Sequence, residues 1–223
     1  MSIKELINKN KKERDIAKDI VLNIIDTYSL KGPNNYGATF EGMTVAKWKP
    51  WLDEPCYTSA LSMDRLYMIK QFLNIAPPGI CYECGVYTGG VTRMMLDMGR
   101  HVKAFDTFEG LTGSGEFDLM ENGDYNGGDV SEYIKGAEIV KGCVPYTFKD
   151  HEDDKIAFAH LDMDLYESTV HALKFIYDRL YDNGIIILDD YGIWMTPGIK
   201  KAVDEFHCEK KIYLPTGQMV ILK

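Results

Sequence analysis

The sequence has no apolar run approaching the ~20 residues that a membrane-spanning helix requires, and its opening Met1-Ser2-Ile3-Lys4-Glu5 leads into lysines and acids, not an apolar signal core. A cytoplasmic protein without membrane contact is therefore expected. Positive charge is also in deficit: 25 Lys and Arg stand against 34 Asp and Glu, a formal net charge of -9. A nucleic-acid backbone needs a basic face, so nucleic acid is excluded as the expected partner. Small anions are not excluded, because helix N-termini bind them without net positive charge. Regular cysteine spacing is missing as well. The five cysteines, Cys56, Cys81, Cys84, Cys143 and Cys208, are an odd number without a framework, which points to free thiols. Cys81 and Cys84 form a C-x-x-C, but no second pair exists to complete a zinc site. They lie within one strand pattern, where positions three apart face opposite sides, so two buried, inert thiols are expected. Repeats and low-complexity segments are absent, and 223 residues fit one α/β domain with a small appendage.

What is present is an alternation of helix and strand patterns. Residues 1–30 read as a helix, with Ile16, Ala17, Ile20, Val21, Ile24, Ile25 and Tyr28 on one stripe. Residues 33–57 have neither period and carry Trp48, Pro50, Trp51 and Pro55; a loop of that length is a candidate lid over a substrate. Residues 1–58 are thus expected to form a helix and lid-like segment, and 59–223 a single catalytic unit. Ser62–Asn74 reads as a helix, followed by strands at Ile80–Gly85, Val102–Asp106, Ile139–Gly142, Ile156–Asp162 and Gly184–Asp189. Helices are expected at Thr88–Met98, Val144–Lys149, Ser168–Tyr181 and Gly198–His207. A polar, glycine-rich connection spans Gly110–Gly128. Lys211–Leu214 and Met219–Leu222 close the chain across a tight turn and so pair antiparallel. The pattern predicts an α/β fold, a doubly wound, mostly parallel seven-stranded sheet ending in an antiparallel hairpin, with an N-terminal helical extension.

Ligands of such sheets sit beyond the carboxyl ends of the strands. Glu83-Cys84-Gly85-Val86-Tyr87-Thr88-Gly89-Gly90 lies at one of these ends. Its G-x-x-x-G-G spacing lacks the tight first pair of a pyrophosphate-binding G-x-G-x-x-G loop. Glu83 is an anion beside the loop, suited to an α-amino group or a sulfonium and not to a pyrophosphate. Asp106 ends the next strand pattern about twenty residues on, the usual place for a carboxylate that accepts from ribose hydroxyls. S-adenosylmethionine fits these features, and NAD fits less well. Helix–sheet packing is the plain alternative for Gly89 and Gly90.

Asp162 and Asp189 each end an apolar strand pattern, and adjacent parallel strands would bring those ends to about 5 Å. Converging carboxylates repel each other unless a cation binds. The oxygen set Asp162, Asp189 and Asp190 suits Mg²⁺ or a similar divalent cation. Asp164, with Ser168 and Thr169, could instead cap the following helix, and His160 reads as a core histidine.

Four motifs in order resemble the macrocin O-methyltransferase family. They are Glu83–Gly90; Phe105-Asp106-Thr107-Phe108-Glu109-Gly110-Leu111; Asp162-Met163-Asp164-Leu165-Tyr166-Glu167-Ser168-Thr169; and Gly184-Ile185-Ile186-Ile187-Leu188-Asp189-Asp190-Tyr191-Gly192. The likeness covers roughly residues 60–200. It implies a class I, Rossmann-like, S-adenosylmethionine- and Mg²⁺-dependent O-methyltransferase acting on sugar hydroxyls of natural products. It implies Asp162, Asp189 and Asp190 as metal ligands, with Asp162 also the catalytic base. It places Glu83 and Gly85 near the methionine portion, Asp106 on the ribose, and Gly142 and Cys143 near adenine. With Tyr87, Gly89 and Thr107 from the same motifs, these form the candidate cofactor-binding set. The family has tryptophan and arginine where Tyr87 and Thr88 stand. Related catechol-type enzymes use a lysine base where Leu165 stands, so that mechanism is not available here.

The expected partner is a small hydroxylated acceptor, a sugar or a glycosylated metabolite, and the sequence leaves a homo-oligomer open. Two other readings remain. A cofactor-binding relative without activity would have no reason to keep all three acids. A nicotinamide-dependent oxidoreductase is opposed by Glu83 and by the glycine spacing.

Overall fold

A computed structural model describes residues 57–223. The helix expected over 1–30 and the lid-like loop expected over 33–57 lie outside the described residues, apart from Tyr57. The described elements are α1 (Met63–Ile75), β1 (Ile80–Cys84), α2 (Gly90–Asp97), β2 (His101–Asp106), β3 (Glu138–Lys141), a 3-10 turn (Tyr146–Asp150), β4 (Ile156–Leu161), α3 (Tyr166–Arg179), β5 (Leu180–Leu188), α4 (Pro197–Glu205), β6 (Lys210–Tyr213) and β7 (Met219–Leu222).

The strands form one seven-stranded sheet in the order β3-β2-β1-β4-β5-β7-β6. β1 to β5 run parallel, and β7 is antiparallel to both β5 and β6. The doubly wound sheet with an antiparallel end, expected from the sequence, is the observed fold. Strand order reverses between β1 and β4, which creates the switch-point crevice at their carboxyl ends.

Alternating side chains build the two cores. Cys81, Val102, Phe158, Ile187 and Val220 face α1 and α2, joined by Ile69, Leu73, Val91, Met94 and Met95. Tyr82, Cys84, Phe105, Ala159, Leu161, Ile186 and Ile221 face the other way, joined by Ala172, Leu173, Ile176, Ile199 and Val203 of α3 and α4. Cys81 and Cys84 therefore sit on opposite faces, both buried and free. Burial pushes the Cys81 thiol up to about 11 and the Cys84 thiol up as well, so neither is a nucleophile at neutral pH.

Three elements differ from their sequence expectation for local reasons. α2 starts at Gly90, not Thr88, because Gly89 sits at φ +83, outside helical space. The short helix before β4 is a 3-10 turn. β5 begins at Leu180, which pairs with Ile156 before the register shifts to Phe158–Ile185. The sequence pattern ends the helix at Tyr181 and starts the strand at Gly184, and between them Asn183 adopts φ +63. Its backbone is nevertheless held in the sheet by Lys223, through Asn183 N to Lys223 O (3.1 Å) and Lys223 N to Gly184 O (3.2 Å).

Periodicity gave no hint of the charge within the sheet. Lys103 on β2 is only 8% exposed. Its Nζ lies 2.8 Å from Asp154, which also accepts from the Tyr82 hydroxyl, and 3.1 Å from His151 Nδ1. A buried charge is tolerable only when paired in this way.

Candidate active site

The carboxyl ends of β1, β2, β4 and β5 open into one cavity. Of the candidate residues, Gly85, Tyr87, Asp106, Thr107, Gly142, Cys143, Asp162, Asp189 and Asp190 line it, whereas Glu83 and Gly89 do not.

Glu83, 2% exposed, lies beneath the loop, where the Thr92 hydroxyl of α2 donates to its carboxylate. Burial pushes its pKa up to about 8. Across from it, at 3.9 Å, stands His160, fully buried with neither ring nitrogen hydrogen-bonded. Burial lowers its pKa to about 4, so it is a neutral imidazole inside the core. Close packing leaves no room for a side chain at Gly89 or Gly90. A Cβ on Gly89 would lie 2.6 Å from Ile134 Cγ2, and one on Gly90 would lie 2.4 Å from Thr58 O.

Asp106 organises the loop. One carboxylate oxygen accepts from the backbone N–H of Val86 (2.6 Å) and of Tyr87 (3.0 Å), and the other from that of Phe108 (2.7 Å). Its main-chain oxygen accepts from Gly142 N at 2.8 Å. The ends of β1, β2 and β3 are thus tied through one residue. The Cys143 thiol and the Thr112 hydroxyl meet at 2.7 Å on the same wall.

The acidic end holds four carboxylates. Oxygens of Asp162, Asp164 and Asp190 lie within 4.8 Å of one another. That cluster differs from the sequence-derived set, because Asp164 stands in it where Asp189 was expected. Asp189, 1% exposed, is turned aside: the Arg65 guanidinium of α1 pairs with one oxygen, and Gln218 Nε2 donates to the other at 2.8 Å. Arg65 also reaches Asp190, at 3.3 Å.

Asp164 is free for the cluster because it does not cap α3. Asp118, from the β2–β3 connection, accepts from Tyr166 N at 2.8 Å, and Thr169 turns its hydroxyl back to Leu165 O. Asp164 itself sits at φ +60, a left-handed conformation that aspartate tolerates better than most residues. Burial first, then Asp190, pushes its pKa up to about 9, while burial and the neighbouring acids also raise Asp162. Burial and Asp190 raise Asp189 to about 7 against the opposing pull of Arg65. Four carboxylates in one wall repel one another, and an all-oxygen set of this kind fits a hard divalent cation.

The β2–β3 connection forms the remaining wall. Leu111 N donates to Asp124 O and Gly123 N to Leu111 O, each at 2.8 Å, which closes its base. Phe117 packs edge-on against Tyr166 at 5.0 Å. Tyr125 meets Tyr87 edge-on at 5.8 Å beside the acids. Burial and then Asp164 push the Tyr125 phenol up to about 12, so it stays a donor.

Sequence reasoning did not single out Arg65, Gln218 or Tyr125, and gave Asp164 a capping role. Arg65 did leave a signal, since it precedes Ile69 and Phe72 on the buried stripe of α1 by four and seven residues, where an apolar side chain belongs.

Sheet order and cavity position define a Rossmann-like methyltransferase fold. The O-methyltransferase NovP superposes with a TM-score of 0.63 over 94% of this chain and 98% of that one, at 22% identity. Residues 134–220 match the model of the macrocin-O-methyltransferase (TylF) family, as the motif resemblance led one to expect. Among curated relatives, the 8-demethyl-8-(2,3-dimethoxy-alpha-L-rhamnosyl)-tetracenomycin-C 4'-O-methyltransferase of Streptomyces olivaceus is 29% identical over 152 residues, 57% of this chain and 58% of the relative. The demethyldecarbamoylnovobiocin O-methyltransferase of Streptomyces niveus is 29% identical over 163 residues, 59% of each protein. The chain thus spans under two thirds of the length of the curated relatives it matches. Among the described residues, no helix is long and apolar enough to cross a membrane.

Proposed function

We propose that this protein is an S-adenosylmethionine-dependent, divalent-metal-assisted O-methyltransferase whose acceptor is a hydroxyl of a sugar or glycosylated metabolite. The observation that carries the reading is the shared cavity: the Asp106-braced loop and the Asp162/Asp164/Asp190 cluster face the same space. A ribose-bearing sulfonium cofactor would lie along Gly85, Asp106, Gly142 and Cys143, and when bound it supplies the methyl group. Asp106 keeps acceptor capacity for a ribose hydroxyl on the oxygen that accepts from Phe108 N, since the other oxygen already accepts two N–H groups. Glu83 lies beneath the loop, where its carboxyl accepts from the Thr92 hydroxyl, and makes no contact in the cavity.

Asp162 and Asp190, common to the sequence-derived set and to the cluster, would hold the cation, and Asp189 would join them once Arg65 gave up its oxygen. Such an ion, when bound, acidifies and orients a hydroxyl. Asp162 was expected to be the base as well, but a carboxylate committed to a cation is a poor proton acceptor. Asp164, released from capping by Asp118, is the carboxylate left to take the acceptor's proton, once the charge of a bound cation brings its pKa back down from about 9. Tyr87 and Tyr125 flank that position and help exclude water. Cytoplasmic location and a unit break near residue 58 are part of the same reading.

The test is incubation with labelled S-adenosylmethionine, Mg²⁺ and a panel of deoxysugar glycosides and phenols, beside calorimetry with S-adenosylhomocysteine. Binding of NAD without binding of S-adenosylhomocysteine would refute the assignment.

A further inference from the structure

Asp189 and Asp190 already share a cation. Arg65 is the sole basic side chain among the described residues lining the cavity, and it pairs with both. Its Nε donates to Thr216 O at 3.2 Å, which ties α1 to the β6–β7 turn.

The acids do not depend on Arg65 for their placement. Gln218 Nε2 holds the other oxygen of Asp189 at 2.8 Å, and Gln218 is itself fixed by the Thr216 hydroxyl at 2.7 Å. Asp189 N donates to Leu161 O at 3.0 Å. The main-chain oxygen of Asp190 accepts from Ile193 N at 3.1 Å and from the Thr196 hydroxyl at 3.0 Å. Removing the guanidinium therefore removes a charge, while Gln218 still holds the Asp189 carboxylate and the main chain of Asp190 stays bonded to Ile193 and Thr196.

We infer that Arg65 is the resident counter-cation of this site: it neutralises Asp189 and Asp190 when no divalent ion is bound, competes with the ion for them, and holds the ion's affinity down. The inference rests on the metal reading above. It makes a prediction of unusual sign. Loss of a residue that orients a metal ligand weakens binding, typically about 10–100-fold. Loss of Arg65 strengthens it, because a like charge leaves the neighbourhood of the ion while Gln218 keeps Asp189 oriented.

The experiment titrates the full chain with Mn²⁺ alone, followed by electron paramagnetic resonance. Arg65→Met and Arg65→Gln should bind Mn²⁺ about tenfold more tightly than wild type, whereas Arg65→Lys, which keeps the charge, should stay within about threefold. Gln218→Leu should go the other way. In chelator the two uncharged Arg65 variants should melt below wild type, and Mn²⁺ should raise their melting temperatures by more. A purely structural role for Arg65 would lower the melting temperature without tightening Mn²⁺ binding. Equal or weaker Mn²⁺ binding by both uncharged variants overturns the inference. A wild type that binds S-adenosylhomocysteine but no Mn²⁺ overturns the metal reading itself, and this inference with it.

Discussion

A Cβ placed on Gly85 would lie 1.8 Å from the main-chain oxygen of Asp162. The loop after β1 and the first acid of the cluster are in backbone contact, and Asp162 N donates to Cys84 O at 2.8 Å across the same gap. This contact at the β1–β4 switch point brings the proposed methyl donor and the proposed cation within reach of one acceptor hydroxyl. Gly85 also sits at φ +91, which side chains rarely adopt. Gly85→Ala should therefore cost about 3–5 kcal/mol, in the range of severe backbone and steric defects. Urea unfolding reads this as a lower midpoint, and an unchanged midpoint would mean that the two strand ends are not packed this closely.

Asp106 binds three backbone N–H groups, so its removal should cost both order and affinity. Each hydrogen bond to a charged acceptor is worth about 1.5–3 kcal/mol. Asp106→Ala should abolish calorimetric binding of S-adenosylhomocysteine and speed amide exchange at Val86, Tyr87 and Phe108. Asp106→Asn keeps one acceptor oxygen and should retain part of both. Exchange rates unaltered in Asp106→Ala would show that the loop is held by other means.

The Lys103–Asp154 pair should make stability depend on acid. Burial opposes the charge on Asp154, but Lys103 and the Tyr82 hydroxyl outweigh it and hold the carboxyl below the usual range. A folded pKa depressed below the unfolded value of about 3.9 gives stability that is fully present above that value and is lost as pH falls through the folded pKa. Asp154→Asn should flatten the acid limb of the melting curve below about pH 4. At neutral pH it should cost about 2 kcal/mol, because Lys103 loses its nearest anion. A variant with the same acid limb as wild type would assign that limb to other carboxylates.

Much of this was legible in the sequence because it follows from local chemistry. The strands of the sheet were readable as apolar runs, and Asp106, Asp162, Asp189 and Asp190 were readable as acids stranded at their ends. What stayed hidden depends on residues distant in sequence. Asp164 reads as a cap until Asp118, 48 positions before Tyr166, is seen bonded to Tyr166 N. Asp189 reads as a free ligand until Arg65, 124 positions away, takes one of its oxygens. Glu83 reads as a cavity group because strand alternation does not tell whether α2 or the ligand covers its face, and Thr92 decides that. The bulge at Tyr181–Gly184 carries turn residues but is kept in the sheet by the Lys223 backbone.

The roles of the acids separate most sharply by substitution. Asp162 and Asp190 carry the proposed cation, and Asp164 the proposed proton transfer. Chelation should abolish methyl transfer and leave S-adenosylhomocysteine binding intact, because the proposed cofactor contacts lie at Gly85, Asp106 and Gly142. Asp190→Asn should weaken Mn²⁺ binding and recover part of its turnover in excess Mg²⁺, since the proton acceptor survives. Asp164→Asn should behave in the opposite way. Its Mn²⁺ affinity should fall only a few-fold at about constant ligand number, while turnover falls by about 10²–10⁴-fold and does not return with added metal. If Asp162 is instead both ligand and base, as the family resemblance implies, Asp162→Asn will resist rescue and Asp164→Asn will turn over nearly as well as wild type. Measuring Mn²⁺ affinity and turnover on the same three variants decides between the two assignments, because only the proton acceptor can lose turnover without losing the ion.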